Sequence, residues 1–308
     1  MPLTVVSSKR FVDHVTPAGH PERPERAGVL QGVADSFAAH GGAVVEPRLA
    51  TDEDLLRVHT QEHVERIAST RGKAVMIDED TFTSPDSDEI ARLAAGAVLT
   101  GVDQVLDGPA GSRALVLVRP PGHHAEADRA MGFCLYSNIA VGAAYARSRG
   151  CARVAIVDYD VHHGNGTQWI FYEDPTVLFV SSHQFPFYPG TGAQSETGRG
   201  AGVGYTLNIP LAAGAQDPEI ERKYEEQVYP ALRQFQPDLL MISAGFDAHE
   251  LDPLGQVRMT TGGFARLTAA LVKVAGEVCA GRVVLVTEGG YSLEALKDCL
   301  TEVIRVSA

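Results

Sequence analysis

The sequence predicts an α/β fold: one domain over residues 1–308, with a central, mainly parallel eight-stranded sheet flanked by helices on both faces. Three observations carry this. Short apolar, β-branched runs recur along the chain, each followed by a loop and then a helical pattern. Strands that alternate with helices call for parallel pairing covered on both sides. A chain of 308 residues with 44% hydrophobic content is enough for one large core of that kind.

In chain order, the expected strands are 4–6, 44–46, 114–118, 153–157, 177–181, 205–209, 239–242 and 283–287. Each is a short run rich in Val, Ile, Leu or aromatic residues, the composition of a strand buried on both faces. The expected helices are 22–39, 89–106, 137–148, 218–234, 263–278 and 293–306, with a shorter helical stretch over 167–172. Asp217 and Pro218 read as the N-cap and first residue of the fourth helix. The glycine-rich stretch 190–204 is the longest irregular piece and reads as a functional loop rather than a boundary.

Composition narrows the class. No apolar run is long enough to span a bilayer, and residues 1–20 lack the hydrophobic segment of a signal peptide. Cys134, Cys151, Cys279 and Cys299 are scattered without a CxxC pair, as expected of reduced thiols in a cytoplasmic protein. A formal charge of −13 argues against nucleic acid and anionic membrane as partners. Composition says nothing about oligomeric state.

Polar residues cluster where strands end. In open α/β sheets, sites form beyond the carboxyl ends of the strands. Strand 114–118 leads into Arg119-Pro-Pro-Gly-His-His-Ala125, and strand 153–157 into Asp158-Tyr-Asp-Val-His162. Strand 239–242 leads into Ser243-Ala-Gly-Phe-Asp-Ala-His249, and strand 283–287 into Glu288-Gly-Gly-Tyr291. Four loops from distant parts of the chain are thus expected at one rim.

Asp160 and His162, joined by Asp247, offer oxygen and imidazole donors suited to Zn²⁺ or a similar ion. Three protein ligands leave a position open for water, which hydrolysis requires. His123 and His124 supply acid–base groups, or are two surface histidines. Asp158 is placed to orient one histidine, and Asn165 the other without added charge. Tyr291 follows two glycines that permit close approach, so its hydroxyl could meet a developing oxyanion or simply bond elsewhere.

Eight motifs then stand in one order. They are His20-Pro-Glu-Arg-Pro-Glu-Arg26, Asp80-Thr-Phe-Thr-Ser-Pro85, Arg119 to Ala125, Gly132-Phe-Cys134, Asp158 to Gln168, Tyr188-Pro-Gly-Thr-Gly192, Ser243 to His249 with Asp252-Pro-Leu-Gly255, and Glu288 to Tyr291. From about His20 to Tyr291 the chain resembles the zinc-dependent deacetylases of the arginase/histone-deacetylase superfamily, nearest the bacterial class II-like members. The resemblance implies that fold, one catalytic Zn²⁺ (Fe²⁺ suits the same ligands), and removal of acetyl or another short acyl group from lysine in proteins or peptides. It implies Asp160, His162 and Asp247 as metal ligands, His124 as general base with His123 as its partner, and Asp158 behind His123. Asn165 stands where class II enzymes carry Asn, and Tyr291 matches the catalytic tyrosine. Gly132, Phe133, Tyr188 and Leu254 match the walls of a narrow substrate tunnel, with Tyr188 where Phe is usual. Arg26 matches an arginine of an internal release channel, or is a solvated helix residue. Structural K⁺ or Na⁺ is implied near Asp158, Asp160, His162, Ser181 and Ser182, and at an outer site around Phe171, Asp174 and Val177.

Three competing readings follow. An acetylpolyamine amidohydrolase shares the chemistry, but Leu254 stands where polyamine-selective relatives carry a Glu gatekeeper. A ureohydrolase needs further aspartates for two metals. A silent acyl-lysine reader is disfavoured by the intact His123, His124 and Tyr291.

Overall fold

Eight parallel strands run in the order β2-β1-β5-β10-β9-β6-β7-β8 in a computed structural model that describes residues 2–308. They are β1 (Leu3–Val6), β2 (Ala43–Val45), β5 (Arg113–Val116), β6 (Val154–Asp158), β7 (Val177–Gln184), β8 (Thr206–Leu211), β9 (Leu239–Ala244) and β10 (Val283–Thr287). Every expected strand is present, and the central sheet is parallel between each pair of neighbours. β3 (Val75–Met76) and β4 (Phe82–Thr83) form a separate antiparallel hairpin that the sequence pattern does not announce.

Side chains alternate across the sheet and build two cores. Val283 and Leu285 of β10 face one layer, and Val284 and Val286 face the other. The first layer packs against α1 (Glu25–Ala39), α7 (Asp217–Lys223), α8 (Tyr229–Phe235), α9 (Thr261–Val278) and α10 (Leu293–Ser307). The second packs against α4 (Ser87–Leu106), α5 (Asn138–Ser148) and α6 (Asn165–Phe171). α2 (Asp52–Leu55) and α3 (Gln61–Ala68) lie outside the expected helices. No helix among the described residues is long and apolar enough to cross a membrane.

Several boundaries differ from expectation for local reasons. The first helix begins at Glu25 rather than at residue 22, because a residue before proline is pushed out of the helical region and Pro24 follows Arg23. β5 stops at Val116 because the Thr287 hydroxyl takes over from the ladder, accepting from Val118 N at 2.8 Å and donating to Val118 O at 3.0 Å. Asp217 is not an N-cap. Gln216 takes the N-cap position without a side-chain hydrogen bond, Pro218 follows in the first turn, and the Asp217 carboxylate accepts from Thr260 N at 2.9 Å and Thr260 Oγ1 at 2.6 Å. The helix expected over 218–234 is interrupted by a π-turn at Tyr224–Val228 between α7 and α8.

Candidate active site

The site begins with sheet order. β5, β10, β9 and β6 are consecutive neighbours, so the four loops expected at one rim leave the sheet side by side. Asp158 ends β6 itself, and Asp160 and His162 sit in the turn that follows. Asp158 Oδ1 accepts from Asp160 N at 3.0 Å and Asp160 Oδ1 from His162 N at 2.9 Å, which curls the segment tightly.

Asp160, His162 and Asp247 converge, with one donor atom from each lying within 4.8 Å of the others. His162 Nδ1 is 3.1 Å from Asp160 Oδ1 and 3.0 Å from Asp247 Oδ2. Burial, and then the charge of Asp160, push the Asp247 carboxyl up to about 7. Two buried carboxylates and an imidazole turned toward one point fit a divalent metal ion. Gly289 makes room for this cluster. A Cβ there would lie 2.1 Å from Asp247 Oδ2 and 2.6 Å from Asp160 Oδ2, where the Gly289 N–H now donates to Asp160 Oδ2 at 2.9 Å.

His123 and His124 are buried rather than surface residues, with ring centroids 4.0 Å apart. His123 Nδ1 meets Asp158 Oδ2 at 3.0 Å, and His124 Nδ1 meets Asn165 Oδ1 at 2.8 Å. Asn165 Nδ2 donates to Glu126 Oε1 at 2.7 Å, which fixes the amide so that its oxygen faces His124. His124 therefore carries its proton on Nδ1 and leaves Nε2 bare. Burial, followed by the charges of His123 and His162, holds His124 well below the usual imidazole range. Burial pulls His123 down as well, but Asp160, Asp158 and the Asp158 hydrogen bond outweigh it and hold that ring well above the usual range.

Asp80, His124, Gly132, Phe133, His162, Tyr188, Leu254 and Tyr291 line one cavity of about 80 Å³. All four residues expected in a tunnel are among them. Phe133 and Tyr291 pack edge to face at 5.8 Å, and Tyr188 stands edge-on to His124 at 5.2 Å. Burial, and then Asp247, push the Tyr291 hydroxyl well above the usual phenol range, so it stays a proton-bearing donor. Arg26 is fully buried, not solvated. It donates to Gly290 O at 2.8 Å and Glu288 O at 2.6 Å, with its guanidinium carbon 5.1 Å from the Tyr291 ring centroid. Ser181 and Ser182 are buried on β7, with Ser181 in register with Asp158. Their hydroxyls meet His183 Nδ1 at 3.0 Å and Tyr224 Oη at 2.8 Å.

Sequence reasoning passes over four acidic residues that the site uses. Glu288 accepts from Gly122 N at 2.7 Å and His123 N at 3.2 Å, tying the paired histidines to β10. Glu22 bridges Arg26 and Arg119, Asp252 holds the main chain at Tyr291, and Asp80 lines the cavity. All four lie in the quoted motifs. The signal that could have found them is a carboxylate beside a strand end or proline turn that no surface position explains.

A buried donor set beside paired histidines at the carboxyl rim of a parallel α/β sheet suits metal-assisted hydrolysis. The chain belongs to the histone deacetylase family, whose domain profile matches residues 20–307. A probable deacetylase of Archaeoglobus fulgidus is 39% identical over 293 residues, covering 94% of this chain and 81% of that one. A histone deacetylase-like amidohydrolase of Pseudomonas aeruginosa is 40% identical over 297 residues, covering 93% of this chain and 76% of that one. The crystal structure of the HDA15 HD domain matches with a TM-score of 0.92 at 38% identity, over 100% of this chain and 89% of that one. The protein is accordingly a hydrolase of the deacetylase type.

Proposed function

We propose that the chain is a single catalytic domain that removes acetyl, or another short acyl group, from the side-chain amine of lysine in proteins or peptides. The observation that carries this is the meeting of the Asp160–His162–Asp247 cluster, His124 and Tyr291 at one narrow, aromatic-walled cavity. The residues of the cluster would hold Zn²⁺, which when bound supplies a Lewis acid for the amide carbonyl and for water activation.

The chain's own groups do the rest. Phe133 and Tyr188 face the extended stem of the lysine, Leu254 closes one wall, and the Gly132 carbonyl receives the substrate N–H. His124 Nε2 takes the proton of the attacking water, because Asn165 holds the other nitrogen protonated. His123, kept charged by Asp158, stabilises the negative charge that develops beside it, and the pair returns a proton to the leaving amine. The Tyr291 hydroxyl donates to the oxyanion. Asp158, Asp160, His162, Ser181 and Ser182 would bind K⁺ or Na⁺, which offsets the proximity of two buried carboxylates. Four free, buried cysteines suit a reducing compartment such as the cytoplasm.

The Asp80 side of the cavity favours one alternative, since a carboxylate there suits the distal ammonium of an acetylated polyamine. Side-by-side kcat/KM of the zinc-loaded protein on an acetyl-lysine peptide and N-acetylputrescine decides. A peptide preference of about tenfold or more is expected. Preference for the polyamine transfers the assignment to the alternative, and turnover of neither with zinc bound defeats both.

A further inference from the structure

We infer that Asp252 is a positioning residue for the reaction: its carboxylate clamps the Tyr291 main chain to the Leu254 wall of the cavity. The inference rests on the role proposed for Tyr291. Asp252 lies in the loop after β9 and is 7% exposed. Its Oδ2 accepts from Tyr291 N at 2.6 Å and Ser292 N at 3.0 Å, and its Oδ1 accepts from Leu254 N at 3.0 Å. Both oxygens are therefore used, and by two different loops, one after β9 and one after β10.

The clamp acts where the chain is free to turn. Gly290 immediately precedes Tyr291 with φ +124, a conformation that glycine alone holds readily. On its own, such a joint would let the tyrosine swing. Three N–H donors converging on two carboxylate oxygens remove that freedom, and the same contact sets Leu254 against Tyr291 across the cavity. Only a carboxylate fits. An asparagine has one acceptor oxygen, so its amide NH₂ would face an N–H donor on the other side.

The test is a double-mutant cycle on zinc-loaded protein, with zinc content and thermal unfolding confirming an intact fold. Asp252→Asn should lower kcat on an acetyl-lysine peptide by about tenfold or more, with KM changed less than about twofold. In a Tyr291→Phe background the same substitution should change kcat by less than about twofold, because the group it positions is gone. Hydrogen exchange over residues 289–297 should rise in Asp252→Asn independently of activity. Equal losses in both backgrounds, an unchanged kcat, or unchanged exchange overturns the inference. If Tyr291→Phe alone keeps full kcat, the proposed role of Tyr291 falls, and the inference with it; that outcome is distinct from additivity.

A second pair of variants guards against misfolding. Ser292→Pro deletes one donor to Oδ2 at a residue whose φ of −77 proline can adopt, and Ser292→Ala keeps that N–H. The proline variant should lose about threefold or more in kcat relative to the alanine variant. Equal kcat in the two contradicts the clamp.

Discussion

At Gly289 one missing methyl group keeps two carboxylates aimed at a common point. Gly289→Ala places a Cβ 2.1 Å from Asp247 Oδ2, so the carboxylate has to turn away. Zinc affinity should fall by about tenfold or more, as for other residues that orient metal ligands. Metal analysis after dialysis against buffered zinc checks this without any substrate. The cluster of Asp160, His162 and Asp247 is legible in the sequence, because the three residues closely follow apolar strands. Their supports are not. Glu288 reaches Gly122 across 166 positions of chain, and no local pattern signals such a bond.

At the scale of elements, the sheet is more legible than the helices around its rim. Strands buried on both faces are nearly continuous apolar runs, so β5, β6, β9 and β10 stand out, whereas β2 at the edge is only partly buried. The Asp-Glu-Asp-Leu of α2 offers no apolar face, and α3 turns inward only at His63, Val64 and Ile67, too few positions to show a period. Asp217 shows why a cap is misread from sequence. Its carboxylate serves the start of α9 instead, through Thr260, and also accepts from Arg266 Nη2 at 2.9 Å. Asp217→Ala should therefore cost about 1 kcal/mol by unpairing the half-buried Thr260 donors. Denaturant midpoints should show that loss while KM stays unchanged, since the contact lies on helices away from the cavity.

Glu22 ties the whole molecule together near its N-terminal side. Its two oxygens grip Arg119, each at 2.8 Å, and Oε1 also receives Arg26 at 2.9 Å. Arg119 in turn donates to Phe11 O and His14 O, and Arg26 reaches the β10 loop. Glu22→Gln leaves two buried guanidinium groups short of a counter-charge and should cost about 3–5 kcal/mol at pH 7. Burial favours protonated Glu22, but Arg119 and then Arg26 outweigh it and bring its pKa down to about 2 from 4.5. The stability it contributes is complete above pH 4.5 and is lost as pH falls toward about 2. On His14 burial itself is the lowering force, taking it from 6.5 to about 4, so its share is complete above pH 6.5 and fades between 6.5 and about 4. Denaturant midpoints should thus decline in two acid-side stages, and the gap between wild type and Glu22→Gln should narrow only in the lower one.

Sheet order also bears on how the chain is made. β10 comes last among the sheet's eight strands in chain order, yet it belongs between β5 and β9, near the middle of the sheet. Until it inserts, β5 and β9 each present an open edge to the same gap, a setting for mispairing with other chains. The insertion also delivers Glu288, Gly289 and Tyr291 to the rim in one event. Until that strand is in place, the rim lacks all three residues.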